Sequence, residues 1–139
     1  MNIDSIQNGV VIDHITAGNG MKLYSLLKLD GIDAQVAIIK NASSSKMGKK
    51  DIIKVDAAID LNYDLIGFVD PNATVNIIRD GKRIDKRKVE KPEYLTNVIF
   101  CTNPRCITSC EQELDHVFRL TDRERTIYRC IYCEAKANH

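Results

Sequence analysis

Two stretches decide how this chain is divided: Cys101-Thr102-Asn103-Pro104-Arg105-Cys106 and Cys130-Ile131-Tyr132-Cys133. The first pair of thiols encloses four residues and the second encloses two, with 23 residues between the pairs. Both spacings fit tight turns that aim two sulfurs at one point. Tetrahedral Zn²⁺ favours such a closed set of four thiolates, which leaves no position for a substrate water, so the expected site is structural. Two disulfides would need an oxidising compartment, for which nothing in the sequence argues. A redox Cys130-x-x-Cys133 pair would be expected at a helix start within a βαβ unit. Cys110 is left over; it could replace Cys106, and His116 and His139 are also chemically able to ligate, but none has a partner at so regular a spacing.

Working outward, all five cysteines lie between Cys101 and Cys133, and none precedes them. That break in composition marks a boundary. Pro92 suits a joint because it cannot donate a backbone hydrogen bond and restricts the residue before it. The linker is expected near Val89 to Tyr94, dividing the chain into domains 1–91 and 92–139. The second part is too small to bury a self-sufficient core, and domains of that size usually need a metal, disulfides or a partner. Tyr94 to Phe100 and Thr126 to Cys130 read as strands leading to the two halves of its site.

The first part alternates short β-branched runs with helical stripes. Val10 to Ile15 reads as a strand. Met21, Leu23, Tyr24 and Leu27 recur at helical spacing, giving a helix to about Leu29 that Asp30 and Gly31 end. Ala34 to Lys40 is a second strand, Asn41 to Lys49 a polar loop, and Asp51 to Val55 a third strand. Leu61, Leu65, Ile66 and Val69 form another helical stripe, stopped at Asp70 and Pro71. Thr74 to Ile78 is a fourth strand, and Asp80-Gly81 makes a tight hairpin into a strand around Arg83 to Lys86. The fold class is therefore α+β: a ferredoxin-like βαββαβ domain with one added edge strand, followed by a small antiparallel β zinc-binding domain.

Over 139 residues, 44% are hydrophobic and 28% charged, the proportions of a folded globular chain, with a formal charge of +1. So small a net charge gives no whole-molecule steering towards nucleic acid. Two basic knots stand out: Lys46, Lys49, Lys50 and Lys54, and the run of Arg79, Lys82, Arg83, Lys86, Arg87, Lys88 and Lys91. Taken alone, either reads as a solvated face. Met1 to Gln7 has no basic cluster and no run of about 18 apolar residues occurs, so the reading is cytoplasmic, without membrane association. No nucleophile motif, phosphate-cradling glycine loop or open metal site is visible, which argues against an enzyme. Four-thiolate modules often bind nucleic acid. The zinc module, however, carries six basic residues (Arg105, Arg119, Arg123, Arg125, Arg129, Lys136) against six acidic ones, a poor match to a phosphate backbone, and a protein partner fits better than a zinc-ribbon nucleic-acid role.

With both parts in place, the chain resembles the regulatory chain of aspartate carbamoyltransferase over essentially its whole length. The segments that carry the likeness are Gly9 to Ile15, Lys22 to Leu29, Met47 to Lys54, Pro71 to Asn76, Asn97 to Ile107 and Cys130 to Glu134. Their order and spacing, ending in the four-cysteine set, make it specific. The resemblance implies a non-catalytic subunit that binds ATP, CTP or UTP in its first domain, pairs there with a second regulatory chain, and docks on the catalytic chain through its zinc domain. It implies a nucleotide pocket of Ile6, Val11, Asp13, His14, Lys50, Ile52, Lys54, Asn76, Ile78 and Lys86. It also implies a catalytic-chain interface at Asn103, Arg105 and Glu134, and one structural zinc on Cys101, Cys106, Cys130 and Cys133.

The residues themselves suit these roles. Three ammonium groups, Lys50, Lys54 and Lys86, converging on one pocket would match a triphosphate. Asp13 can accept from ribose hydroxyls or a base amino group, and His14 can donate to phosphate. Val11 and Asp13 share a face by alternation whereas His14 starts on the other, so a twist or bulge is required for all three to meet one ligand. Taken alone, Asp13 or His14 reads equally as a residue hydrogen-bonded within the sheet. Gly81 and Arg83 stand where the family has an aromatic and an apolar residue near the base, and Arg105 replaces a smaller amide residue.

Overall fold

A computed structural model describes residues 6–137, and the chain divides after Glu90 into two compact units. His139, one of the alternative ligands weighed above, lies outside the described residues.

The first unit is a five-stranded antiparallel sheet. Its elements are β1 (Gly9–Thr16), α1 (Gly20–Leu26), β2 (Val36–Ser44), β3 (Gly48–Val55), α2 (Tyr63–Val69), β4 (Thr74–Arg79) and β5 (Lys82–Lys88), with strand order β2-β3-β1-β4-β5. This is the expected βαββαβ arrangement with β5 added at one edge. Alternation along the strands turns Val10, Ile12, Ile53, Val55 and Val75 to one face, where they pack with Leu23 of α1 and Ile66 of α2 in a single buried cluster. Val11, Asp13, Ile52, Lys54, Asn76 and Ile78 therefore face away from both helices.

Several boundaries differ from the expected ones for local reasons. The polar segment Asn41–Lys49 is not a loop but the arms of a hairpin, with Ala42 opposite Lys50, Ser43 opposite Lys49 and Ser44 opposite Gly48. A bulge between Ile39 and Ala42 hides the alternation there, and Asn41 takes it up with φ 59°. The turn is three residues long, Ser45 to Met47, followed by Gly48 at φ 79°, a combination that matches the twist of its arms. The first helix ends at Leu26 rather than Leu29 because Lys28 is left-handed (φ 57°); Leu29–Gly31 then form a 3-10 turn that still buries Leu29. At Asp80-Gly81 both residues have positive φ, 52° and 75°, as a two-residue hairpin of the primed type demands.

Side-chain carboxylates and amides close the helix ends. Asn62 accepts from the Leu65 N–H at 3.2 Å to cap α2. At α1 the capping group comes from the sheet: Asp51 Oδ2 accepts from the N–H groups of Gly18 (3.0 Å) and Gly20 (2.9 Å), while Oδ1 accepts from Asn41 at 3.0 Å. A Cβ at Gly20 would lie 2.8 Å from that carboxylate oxygen, so glycine is what lets the helix start there.

The second unit contains β6 (Tyr94–Thr96), α3 (Ile107–Cys110), β7 (Val117–Asp122) and β8 (Ile127–Cys130), with sheet order β6-β7-β8. The strand expected over Tyr94 to Phe100 stops at Thr96. Beyond it Asn97 turns left-handed (φ 57°), its amide oxygen accepts from the His116 N–H at 2.9 Å and its Nδ2 donates to Asp115 at 3.0 Å. The central strand β7 and the short α3 were not expected. Leu95, Phe118 and Tyr128 are the large side chains buried here. The Tyr128 hydroxyl donates to the Pro92 carbonyl at 2.6 Å, and Lys91 and Arg123 each donate to the other's backbone carbonyl, at 2.7 and 3.2 Å. These bonds fasten the residues after the division to the second sheet.

Candidate metal centre and sheet-face site

The first half of the cysteine cluster is a turn organised by Asn103. Its Oδ1 accepts from the Arg105 N–H (3.0 Å), and its carbonyl accepts from the Cys106 N–H (3.0 Å) and the Ser109 hydroxyl (2.7 Å). Cys106 thereby sits at the start of α3, where the Thr108 hydroxyl donates to its sulfur at 3.1 Å. The second half leaves the end of β8. Glu134 donates its N–H to the Cys130 carbonyl (2.8 Å) with φ 63°, and Cys130 donates to the Ala135 carbonyl at 3.0 Å.

Together the two turns bring the sulfurs of Cys101, Cys106, Cys130 and Cys133 within 4.8 Å of one another, with Cys101 to Cys133 at 3.6 Å and Cys106 to Cys130 at 3.7 Å. This set can hold a metal ion. The thiols differ in acidity. Burial pushes Cys101 up to about 12 and raises Cys130. The Thr108 hydroxyl lowers Cys106; at Cys133, burial opposes ionisation, but donors from the Ala135 backbone and Asn103 outweigh it and bring the group to about 7.

The alternative ligands have other positions. Cys110 is exposed and outside the cluster. His116 Nδ1 accepts from the Cys101 N–H at 3.1 Å, which requires the proton on Nε2, and its ring meets Phe100 edge-on at 4.9 Å. It orients a cysteine rather than joining the set. Arg105 and Glu134 are exposed beside the two turns, and the Glu134 carbonyl accepts from Arg129 at 3.1 Å.

The helix-free sheet face of the first unit gathers most of the other singled-out residues. Lys54 lies opposite Val11, Val11 opposite Asn76 and Asn76 opposite Lys86, so the four form one row across β3, β1, β4 and β5. Ile78 lies one alternate position along β4 and pairs with Gly9, against which Ile6 packs. Ile52 is the next residue on this face of β3 after Lys54. Asn76 donates to the Val11 carbonyl at 3.5 Å, and its Oδ1 is buried with no hydrogen-bond partner among the described residues.

At the other end of β1, Asp13 and His14 occupy the bulge between Ile12 and Ile15 that the sequence required. His14 is left-handed (φ 57°), which turns its ring towards the Thr74 hydroxyl, 3.0 Å from Nδ1. Asp13 accepts from the His14 N–H at 2.6 Å and pairs with Lys50 at 3.0 Å. Burial opposes its ionisation, but the Lys50 ammonium and the His14 backbone and ring hold the carboxyl below its ordinary value.

The three lysines expected at a triphosphate stand at separate places in the sheet. Lys50 is engaged with Asp13, and Lys54 and Lys86 stand at opposite ends of the row, three inter-strand steps or about 14 Å of backbone apart. Lys86 instead lines a cavity with His14, Lys46 and Lys88. Alternation along single strands could not reveal this, because it depends on strand order. Sequence reading also missed Asp51, whose helix-capping role is signalled only by its place on the buried face of β3.

The family model for the aspartate carbamoyltransferase regulatory chain allosteric domain matches residues 1–90, and that for the metal binding domain of the same chain matches residues 93–139. Among curated proteins, the chain is 48% identical over 134 residues to the aspartate carbamoyltransferase regulatory chain of Clostridium botulinum, covering 96% of this chain and 92% of that one. It is 47% identical to that of Clostridium tetani over 96% of this chain and 94% of the relative, and 43% identical to that of Bifidobacterium longum over 99% of both.

Proposed function

Since the chain belongs to the aspartate carbamoyltransferase regulatory chain family, and so is a non-catalytic subunit, we propose that it carries nucleotide control to the catalytic chain of that enzyme. The first unit binds ATP, CTP or UTP, and the second, folded around zinc, docks on the catalytic chain. The observation that carries this reading is the row Lys54-Val11-Asn76-Lys86 on the sheet face that the helices leave uncovered. It offers a cation at each end, an apolar side chain to lie under a base or sugar, and the unpartnered Asn76 Oδ1 as an acceptor. Separation of the cations argues that only one end serves the phosphates. Lys86 beside His14 suits them, which leaves Lys54 with Ile6, Ile52, Ile78 and the Asp13–Lys50 pair for the nucleoside.

Zinc is favoured for the cysteine set because bonds of about 2.3 Å in a tetrahedron separate sulfurs by about 3.8 Å, close to the 3.6 and 3.7 Å found. Thiolate zinc also suits a reducing cytoplasm; none of the described helices is long and apolar enough to cross a membrane. Docking would use the surface next to the two cysteine turns, where Asn103, Arg105 and Glu134 stand near the exposed Ile107, Ile131 and Tyr132. Two regulatory chains would pair through their first units.

Regulation across such a division requires each effector to bind two quaternary states unequally, commonly by about 1 to 3 kcal/mol. The test is reconstitution with the catalytic trimer of the same organism. The full chain should add to the trimer's mass and make its aspartate saturation curve respond to ATP or CTP. A fragment of residues 94–139 should bind zinc and the trimer without conferring that response. If the fragment alone confers nucleotide sensitivity, the division of labour is wrong.

A further inference from the structure

On the outer face of the second sheet, cross-strand register sets four residues in a row: Tyr94 opposite Arg119, Arg119 opposite Arg129, and Arg129 opposite Lys136. Alternation turns Phe118 and Tyr128 into the interior and leaves Arg119 and Arg129 outward, where they and Lys136 are exposed. Residues directly opposite one another hold their Cβ atoms about 5 Å apart, and like charges so placed destabilise a sheet. No ion pair among the described residues engages any of the three. Arg129 donates to the Glu134 carbonyl at 3.1 Å, which fixes its guanidinium without neutralising it. The Arg119 side chain makes no hydrogen bond among the described residues. A balanced composition concealed this row, because the acidic residues lie elsewhere: Glu111, Glu113 and Asp115 precede β7, and Asp122 faces Arg125 at 3.9 Å in the turn that follows it.

The two arginines wall a cavity of about 380 Å³ together with Thr121, Cys130, Ile131 and Glu134. Glu134 is its one carboxylate, and Arg119, Arg129 and the adjoining Lys136 set three positive charges against that single negative one. Guanidinium groups present planar forks of donors that match the oxygens of carboxylate and phosphate, and an excess of two charges favours a dianion over a lone carboxylate. We propose that this cavity is a site for a phosphate dianion, free or carried as a monoester on a small molecule, held between Arg119 and Arg129 with Lys136 at its edge. The space is that of about a dozen waters, more than a bare phosphate fills, so a small substituent is admitted. The site belongs to the unit that carries none of the cross-sheet row Lys54-Val11-Asn76-Lys86, and it stands whether or not the nucleotide reading does.

The test is titration of the isotope-labelled, metal-loaded full-length chain with inorganic phosphate and, separately, with glycerol phosphate, followed by NMR at constant ionic strength. Side-chain N–H resonances of Arg119 and Arg129, with the amides of Ile131 and Glu134, should shift saturably, with a dissociation constant on the order of a millimolar for guanidiniums so exposed. Arg119→Gln should weaken binding about tenfold, the loss expected for one charge-assisted hydrogen bond. Its side chain is exposed and bonds nothing among the described residues, so the variant retains the fold. Arg119→Lys, which keeps the charge without the fork, should fall between the two. Tighter binding of inorganic phosphate assigns the site to the free ion, and tighter binding of glycerol phosphate assigns it to a phosphorylated small molecule. Shifts that never saturate, that chloride or acetate reproduces at the same concentration, or that survive Arg119→Gln unchanged overturn the proposal.

Discussion

The two units reach a folded state by different means. In the first, side chains from three central strands and both helices enter one apolar cluster in which Ile12, Ile15, Leu23, Ile53, Val55, Ile66 and Val75 are fully buried. In the second, Leu95, Phe118 and Tyr128 are the large buried side chains among the described residues, and the remaining buried apolar positions are the thiols of Cys106 and Cys130. Burial of apolar surface stabilises roughly in proportion to its area. A unit with so few large buried groups must draw on metal–thiolate bonds, whereas the first can stand on packing. The boundary between the units is thus also a boundary between two sources of stability.

The largest test of that contrast removes the metal ligands. Cys133→Ser, or a strong chelator applied to the wild type, should unfold the second unit, because structural zinc supplies an apparent 10 to 16 kcal/mol in small zinc modules (about the whole stability of such a unit). Hydrogen exchange should show amides of β6 to β8 losing protection while those of β1, β3 and β4 keep theirs. Assembly with the catalytic chain should be lost as well. Loss of protection in both units together would mean that the first also depends on the metal, and the contrast would fail.

A smaller effect is expected in the first unit from Asp51→Asn. Asp51 is fully buried, and its carboxylate accepts three backbone N–H bonds that join the start of α1 to the β2–β3 hairpin. The amide has one acceptor oxygen and brings an NH₂ group that would face a donor, so about 2 to 4 kcal/mol of stability should go. Burial opposes ionisation of Asp51, yet the N–H groups of Asn41, Gly20 and Gly18 lower its pKa below the ordinary 3.8. A lowered carboxyl pKa contributes stability above the unfolded value that is lost as pH falls through the folded one. Denaturant unfolding of wild type and variant should therefore differ fully near neutrality and converge below pH 3.8. A constant difference down to strong acid would show that the carboxylate charge is not the source.

This contrast also governed what could be read from sequence. In the first unit the alternation of Val10 to Ile15 and the stripe from Leu61 to Val69 each announced a side buried against a core, so element order and class followed. What alternation could not convey was anything set by backbone irregularity or by strand order. The Ile39–Ala42 bulge disguised a hairpin as a loop, and the separation of Lys54 from Lys86 emerges only when β3, β1, β4 and β5 lie side by side. In the second unit the cysteines outlined the site but drew attention from Val117–Asp122, a strand whose alternation of Phe118 and Leu120 with Arg119 and Thr121 was present all along. His116 was legible only as a possible ligand; its bond to the Cys101 backbone depends on a turn that sequence did not disclose.

The smallest effect should come from Tyr128→Phe in the second unit, and it sharpens the comparison by asking how much a metal-held unit owes to its few buried side chains. The ring of Tyr128 fills the interior of the three-stranded sheet, and its hydroxyl donates to the Pro92 carbonyl at 2.6 Å, tying the start of the unit to β8. Phenylalanine keeps the packing and removes the donor. The carbonyl of Pro92 then loses that partner, at a cost of about 1 to 2 kcal/mol. With metal bound, that loss is small beside the thiolate contribution, so the variant should still fold, bind metal and dock. In chelator competition its metal should come off at a concentration about five- to thirtyfold lower, since any destabilisation of the folded state is paid out of the metal affinity to which folding is coupled. Unfolding of the first unit should not move. If Tyr128→Phe instead abolishes the fold as Cys133→Ser does, packing rather than metal carries the second unit, and the two units would differ only in size.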